Sequence, residues 1–258
     1  MELLLSGVLA LGSVAYFRRL AVRSVHAAGT GLRLEDYKAP DVIFASLLAL
    51  WFLVNVIGSG GREIVVTSQV LILNAIFSFL LIICLFSFLI LRSINPLTLF
   101  GLNAAGWRRS LPAFLPALLI ALPAIFFVHA LSFRLLGAET QPQPLLQFLN
   151  DSPGINDRLL LAFTAIVVAP VGEEVIFRGY IYGTARKYAG RWWALAISAV
   201  IFAVIHAHLP SLGGLLVLAV ALTLVYEFTA SLWAPILMHA SFNSLTIVAT
   251  LLWPGLMK

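Results

Sequence analysis

The sequence predicts an all-α fold, a polytopic membrane helix bundle of about eight transmembrane helices around an intramembrane polar cavity. Of the 258 residues, 61% are hydrophobic and 10% are Asp, Glu, Lys or Arg, whereas a soluble domain averages about 45–50% apolar and about 25% charged residues. The apolar residues form long runs, and most basic residues lie between these runs. This pattern excludes a soluble enzyme and, because the net charge is only +5, a disordered chain.

Eight apolar stretches are candidate spans, since a membrane helix needs about 20 largely apolar residues. They are approximately residues 2–17, 42–58, 70–91, 112–133, 158–182, 193–209, 212–228 and 233–253. The first stretch has an acidic residue, Glu2, before it and the basic pair Arg18 and Arg19 after it. A cleaved signal peptide has the opposite order of charge, so we expect an uncleaved first span whose N-terminus lies outside.

The basic residues predict the orientation of the bundle. Most of the 16 Lys and Arg side chains lie in the segments after the first, third and fifth spans. These segments fall on one side of the membrane, and the positive-inside rule makes that side cytoplasmic. Both termini are therefore expected outside. A basic charge distributed in this way indicates the lipid bilayer as the partner and argues against nucleic acid.

The loops are too short to fold as separate domains. Residues 96–111 mix apolar residues with Trp107 and two arginines, which predicts a cytoplasmic surface helix. Residues 134–157 contain two clusters rich in Pro, Asp and Gln and are expected to be irregular. Residues 1–150 contribute spans without a chemical motif, whereas residues 151–258 are expected to form the catalytic core of a single membrane domain.

The ionisable residues inside the spans are the candidate functional groups. An ionised side chain in the middle of a bilayer costs about 2.5–3.5 kcal/mol on insertion scales. The fifth span carries three such groups, so it is expected to face a cavity or packed helices rather than lipid. The set comprises Glu173, Glu174, Arg178, His206 and His239.

The spacing on the fifth span predicts different roles for its two carboxylates. Glu174 and Arg178 are four residues apart, so they can pair on one face of a helix. Glu173 points about 100° away from Glu174 and is expected to remain free to titrate.

Helix geometry also predicts which spans meet. Glu173 and His206 each lie about 20 Å along their helices from the loop that joins the fifth and sixth spans, so antiparallel helices would place them at a similar depth. His239 and Asn243 share one face of the last span. We expect all four side chains to meet in a pocket that opens toward the cytoplasm.

A buried carboxylate beside an imidazole can activate water as a base. A second histidine and an asparagine can donate hydrogen bonds to a developing oxyanion. The set therefore suits amide hydrolysis within a membrane. Glu173, His206 and His239 could equally ligate a divalent metal such as zinc with water in the open position, and the residues alone leave metal-free and metal-dependent mechanisms open. The single cysteine, Cys84, excludes a cysteine-based metal cluster.

Three motifs carry a resemblance to a known family. Residues 173–178 (EEVIFR) resemble the EExxxR motif of the CAAX prenyl endopeptidase family, also called CPBP intramembrane proteases. Residues 202–206 (FAVIH) resemble its FxxxH motif, and residues 239–243 (HASFN) resemble its HxxxN motif. The motifs occur in the family's order, and the resemblance extends over about residues 158–250.

The resemblance implies an intramembrane endopeptidase. It implies that Glu173 and His206 activate water and that His239 and Asn243 form the oxyanion site. The implied substrate is a membrane-associated peptide or lipidated protein. Eukaryotic members of the family cleave prenylated CAAX proteins, so CAAX-type processing is one expectation, and the plasma membrane is the expected location in a prokaryote.

By the same resemblance, Glu174 and Arg178 would maintain the helix geometry around the site. Among the remaining groups, Phe202 is expected to serve packing. His26, His129 and His208 are expected to be solvated near the surfaces, and Glu227 is expected to snorkel at the end of its span.

Two other function classes fit parts of the pattern. A non-catalytic immunity factor or scaffold could share the fold. A transporter could use Glu173 and His206 as a proton relay, although the sequence has none of the internal repeats common in secondary transporters.

Overall fold

The computed structural model describes residues 7, 9–16, 31–59, 65–136, 143–151 and 154–253, and every regular element among them is helical. Residues 9–16 form a short helical stretch, and nine helices follow. They are α1 (Ala39–Ser59), α2 (Ser68–Leu91), α3 (Pro96–Leu99), α4 (Ala104–Leu136), α5 (Pro144–Asp151), α6 (Ile155–Tyr188), α7 (Arg191–Val204), α8 (Leu212–Thr229) and α9 (Trp233–Leu252).

The chain is an integral, multi-pass membrane protein, and the predicted all-α fold class is confirmed. Six helical segments among the described residues are long and apolar enough to cross a membrane: α1, α2, the segment Pro96–Leu136 that contains α3 and α4, α6, α8 and α9. Residues 2–6, 8 and 17 of the predicted first span, together with Arg18, Arg19 and His26, lie outside the described residues.

The predicted sixth span, residues 193–209, is wrong in extent. Its helix, α7, ends at Val204 and has 14 residues, which corresponds to about 21 Å. The chain turns at Ala207, whose φ of 49° is left-handed, and Pro210 lies in the short 3-10 turn Leu209–Ser211 that leads into α8. Because the helix is shorter than the roughly 30 Å hydrocarbon layer, this turn lies within the depth of the bundle.

Two loop predictions also differ from the structure. The segment 134–157, expected to be irregular, contains helix α5, which begins with Pro144 and buries Leu149 against Leu71, Leu161 and Ile247. Proline is favoured in a first helical turn, where its missing N–H has no partner to lose. The segment 96–111 is no separate surface helix, because its second half forms the start of α4.

Helix α6 carries the EExxxR motif and is irregular in a specific way. It contains two π-helical segments, Thr164–Val168 and Glu174–Tyr182, separated by an α-helical stretch that ends at Glu173. All nine residues of the second π segment are buried. Because π-helical turns widen the helix and redirect side chains, they occur frequently at functional sites.

The cytoplasmic end of α6, by the predicted orientation, is tied to the segment before α1. The Tyr37 hydroxyl donates to the Gly179 carbonyl at 2.5 Å, and Lys187 Nζ donates to the Tyr37 carbonyl at 2.6 Å. Burial raises the pKa of the Tyr37 phenol well above its ordinary value, so the group stays a donor. These contacts place the segment 31–38 and the basic segment 183–191 on one face of the bundle, here called the basic face, as predicted.

Glu227 does not snorkel as expected. Its side chain is buried, where it accepts from the Tyr182 hydroxyl and pairs with Arg191 Nη2 at 2.5 Å and Arg186 Nε at 3.2 Å. The two arginines come from α6 and α7, so this buried carboxylate joins three helices near the basic face.

Gly183 supplies a stability test of the Tyr37 contact. A Cβ at position 183 would overlap the Tyr37 hydroxyl and ring, so Gly183→Ala is expected to lower the free energy of unfolding by about 1–3 kcal/mol. Thermal unfolding of the purified protein in detergent, followed by circular dichroism, measures this.

Gly58→Ala in α1 is the matched control. A Cβ there would meet no atom within 4 Å, and alanine favours a helix over glycine, so its melting temperature should stay the same or rise. Equal losses in the two variants would contradict the packing role of Gly183.

Candidate active site

The four side chains predicted to meet do line one cavity. It has a volume of about 1290 Å³, and Glu173, His206, His239 and Asn243 all border it. Glu174 and Arg178 lie behind this wall, fully buried. Three separate parts of the second half of the chain, namely α6, the turn after α7, and α9, therefore contribute to one polar region.

The position of the cavity differs from the prediction. Its lining residues in α1, α2 and α4 are within the stretches 51–56, 71–81 and 125–134, which are the halves of these helices far from the basic face. The prediction of a pocket opening toward the cytoplasmic loops is therefore wrong. The physical reason is the short α7. Because the chain turns back early into α8, the hairpin of α7 and α8 does not fill the space beyond His206.

A buried ion pair organises the site. Glu174 Oε1 accepts from Arg178 Nη1 at 2.8 Å, within one helix, and both side chains are fully buried. The same oxygen lies 2.8 Å from His239 Nδ1 on α9. Arg178 Nη2 also donates to the Ala219 carbonyl of α8 at 3.3 Å. The predicted pairing thus exists, and it connects three helices.

Glu173 has a different environment from its neighbour. Its side chain is 26% exposed and borders the cavity. Its Oε2 has no hydrogen-bond partner among the described residues and lies 3.9 Å from His239 Nε2. Of the two adjacent carboxylates, Glu174 is held by two partners and Glu173 faces open space.

The two histidines are held through their Nδ1 atoms. His206 Nδ1 lies 2.7 Å from the Phe202 carbonyl, one of the carbonyls left without a helical partner at the end of α7. A carbonyl only accepts, so this nitrogen carries the proton, and in the neutral imidazole Nε2 is then an acceptor. His239 Nδ1 likewise donates to Glu174.

Asn243 is anchored to the first π segment. Its Nδ2 donates to the Ala165 carbonyl at 2.7 Å, a contact between α9 and α6 that fixes the orientation of the amide. Because a π segment shifts its backbone partners, this carbonyl is available to a side chain.

Phe202 packs in the core, as expected, but its contacts with the polar groups of the site were not predicted from the sequence. The buried ring lies 4.2 Å from the Arg178 guanidinium carbon, with ring centroids 4.9 Å from His206 and 5.7 Å from His239. The ring therefore contacts the buried cation and both imidazoles. Its place in the FxxxH motif was the available signal.

His129 and His208 also differ from expectation. Both were expected to be solvated near the surfaces, but both are half-buried and line the cavity. The reason is again the early turn after α7, which places His208 inside the bundle.

The residues do not fit the metal site that the sequence left open. Among the described residues, no group of three or more His, Cys, Asp or Glu side chains is arranged to hold a metal ion. Glu174 Oε1 accepts from both His239 Nδ1 and Arg178 Nη1, so it is not free to act as a further ligand. No step is therefore assigned to a metal.

Comparison with known proteins agrees with this geometry. Residues 155–245 match the family model of type II CAAX prenyl endopeptidase Rce1-like proteins. The resemblance predicted from the three motifs is confirmed over this segment, which includes all three motifs.

Curated relatives each match about a third of the chain. A protein from Bacillus subtilis (strain 168) named "Putative membrane peptidase YdiL" is 30% identical over 92 residues, which are 36% of this chain and 38% of the relative. UPF0177 protein YaiF from Lactococcus lactis subsp. lactis (strain IL1403) is 35% identical over 88 residues, 33% of this chain and 39% of the relative. The match thus spans less than half of these relatives. No solved structure matches the chain.

The buried ion pair is expected to dominate the stability of the site. Arg178→Met would leave the Glu174 carboxylate buried without its cation, and breaking a buried pair in this way costs about 3–5 kcal/mol. The double variant Glu174→Gln/Arg178→Met should recover part of the loss. Equilibrium unfolding by a denaturing detergent measures both.

Arg33→Met is the control for this prediction. Its ion pair with Asp36 is 47% exposed on the arginine side, so its loss should cost about 0–1 kcal/mol. If Arg178→Met unfolds no more readily than Arg33→Met, the buried pair does not have the proposed role.

Proposed function

We propose that this protein is an intramembrane endopeptidase that hydrolyses peptide bonds of membrane-associated substrates with a glutamate- and histidine-activated water. The observation that carries the proposal is the convergence of Glu173, His206, His239 and Asn243 on one cavity inside the helix bundle. The family match over residues 155–245 supports the same activity.

Glu173 is the proposed general base. Its side chain borders the cavity and is 26% exposed, so the carboxylate can accept a proton from water as the water attacks a substrate carbonyl. His206 Nε2 is the second acceptor, because Nδ1 is committed to the Phe202 carbonyl. Glu173 then returns the proton to the leaving amine, and the reaction consumes one water for each bond broken.

His239 and Asn243 are the proposed oxyanion donors. To donate from Nε2 while Nδ1 bonds Glu174, His239 must be protonated on both nitrogens, and the neighbouring carboxylates of Glu173 and Glu174 compensate that charge. Asn243 has a second amide N–H beyond the one given to Ala165. Donors fixed before the reaction stabilise a developing oxyanion without reorganisation. Glu174 and Arg178 position His239.

The substrate class follows from the surroundings. The cavity is bordered largely by aromatic and aliphatic side chains, which suits an apolar or lipidated peptide more than a soluble one. CAAX-type prenylated proteins are the specific candidates that the family suggests, and the plasma membrane is the proposed location. Residues 151–258 are the proposed catalytic core, and residues 1–150 supply α1, α2 and α4 as cavity walls.

The first test of this function is loss of hydrolysis in Glu173→Gln and His206→Ala. Each should lower the rate by about 10²–10⁴-fold, the range expected for a general base. The assay uses purified protein in liposomes and a fluorogenic, membrane-anchored peptide. Glu35→Gln, an identical change at an exposed residue of the basic face, should retain the wild-type rate.

Retained hydrolysis in both site variants would rule out the assignment. Comparison of protein termini in cells that express wild-type or Glu173→Gln protein would then identify substrates, because only cleavages that need Glu173 disappear. If partner binding or immunity persisted unchanged in Glu173→Gln while no cleavage was found, a non-catalytic role would replace the proposal.

A further inference from the structure

The cavity is electrically asymmetric. Among the described residues that border it, Glu173 is the sole Asp or Glu and Arg134 is the sole Lys or Arg. Glu173 lies in the middle of α6, whereas Arg134 lies in the last turn of α4, away from the basic face. Arg134 has no hydrogen-bond or ion-pair partner within the described part of the chain. Arg134 is exposed and borders the same cavity as Glu173, so the two residues define a positive end and a negative end.

The positive end has further polar groups in a fixed arrangement. Gln143 Nε2 donates to Ser211 Oγ at 2.7 Å, and His208 Nδ1 lies 2.7 Å from the same oxygen. His129, on α4, lies about 7.5 Å along the helix from Arg134 and borders the same space. No carboxylate of the described residues borders this end.

Gly214 allows His129 to lie close to His208 and Ser211. At Gly214, the second of two adjacent glycines in α8, a Cβ would lie 3.1 Å from His129 Cβ, so α4 and α8 approach closely where a larger residue would separate them. The close contact brings His129 of α4 beside the turn that carries His208 and Ser211.

We propose that the Arg134 end of the cavity is a carboxylate-binding subsite for the peptide substrate. Arg134 is its charged ligand, and its polar neighbours are His129, Gln143, His208 and Ser211. The inference rests on the proposed peptidase function and adds a specificity determinant to it. A guanidinium binds a carboxylate by charge-assisted hydrogen bonds. The lone Glu173 at the other end repels an anion, so the two ends together orient the substrate.

The carboxylate can come from the C-terminus of a peptide or from an acidic side chain, and three probe peptides distinguish these sources. They share an apolar, membrane-anchoring sequence and a fluorescent label. The first ends in a free acid, the second in an amide, and the third in an amide with an aspartate near its end. Binding is measured by fluorescence anisotropy with Glu173→Gln protein in detergent, so the result does not depend on hydrolysis.

The free-acid peptide is expected to bind about tenfold more tightly than the amide. This advantage should disappear in Arg134→Gln and largely persist in Arg134→Lys, which keeps the charge. Arg109→Gln, an exposed arginine at the other end of α4, is the matched control and should keep the full advantage. Tight binding of the third peptide would assign acidic side chains as an additional source.

Equal binding of the three peptides, or no binding by any, would overturn the subsite. The subsite would also be overturned if Arg134→Gln lowered the affinity for the acid and amide peptides by the same factor, because Arg134 would then affect the fold or the membrane association and not the carboxylate. The proposed peptidase function can fail separately. In that case the wild-type protein shows no hydrolysis but still binds the free-acid peptide more tightly than the amide.

Discussion

The buried pair of Glu174 and Arg178 is the constraint on which the rest of the site depends. Both charges are fully buried, and leaving either without its partner in a low-dielectric interior is costly. The pair therefore dictates how α6 sits against its neighbours: Arg178 also bonds the Ala219 carbonyl of α8, and Glu174 also bonds His239 of α9. One ion pair thus sets the relative positions of three helices and orients one imidazole.

The adjacent carboxylates of Glu173 and Glu174 have different surroundings because of the local helix geometry. Glu173 closes an α-helical stretch and Glu174 opens a π-helical one, so the two carboxylates leave the backbone toward different surroundings. Glu174 bonds Arg178 and His239, whereas Glu173 is partly exposed and borders the cavity. A carboxylate that carries no structural duty is the one available to accept and release a proton.

The short helix α7 determines where chemistry can occur. Its early end leaves the interior unfilled beyond His206, and the resulting space is lined by α1, α2 and α4 as well as by the motif helices. The N-terminal half of the chain, which carries no motif, therefore shapes the cavity and supplies Arg134. Apolar walls, the proposed catalytic carboxylate and a distant guanidinium would together suit the proposed substrate, a peptide that is apolar along its length and anionic at one point.

Much of this was accessible from the amino-acid sequence. Apolar runs predicted the helix bundle, the i,i+4 spacing predicted the Glu174–Arg178 pair, and three motifs predicted which residues share one cavity. The sequence by itself determined these features because periodicity, charge cost and motif spacing are local properties of the chain. Only the tertiary structure decided that α7 stops at Val204, that the cavity lies away from the basic face, and that Glu227 and His208 are drawn inside. Each of these features depends on the packing between helices that are distant in the sequence, and this packing cannot be inferred from any single segment.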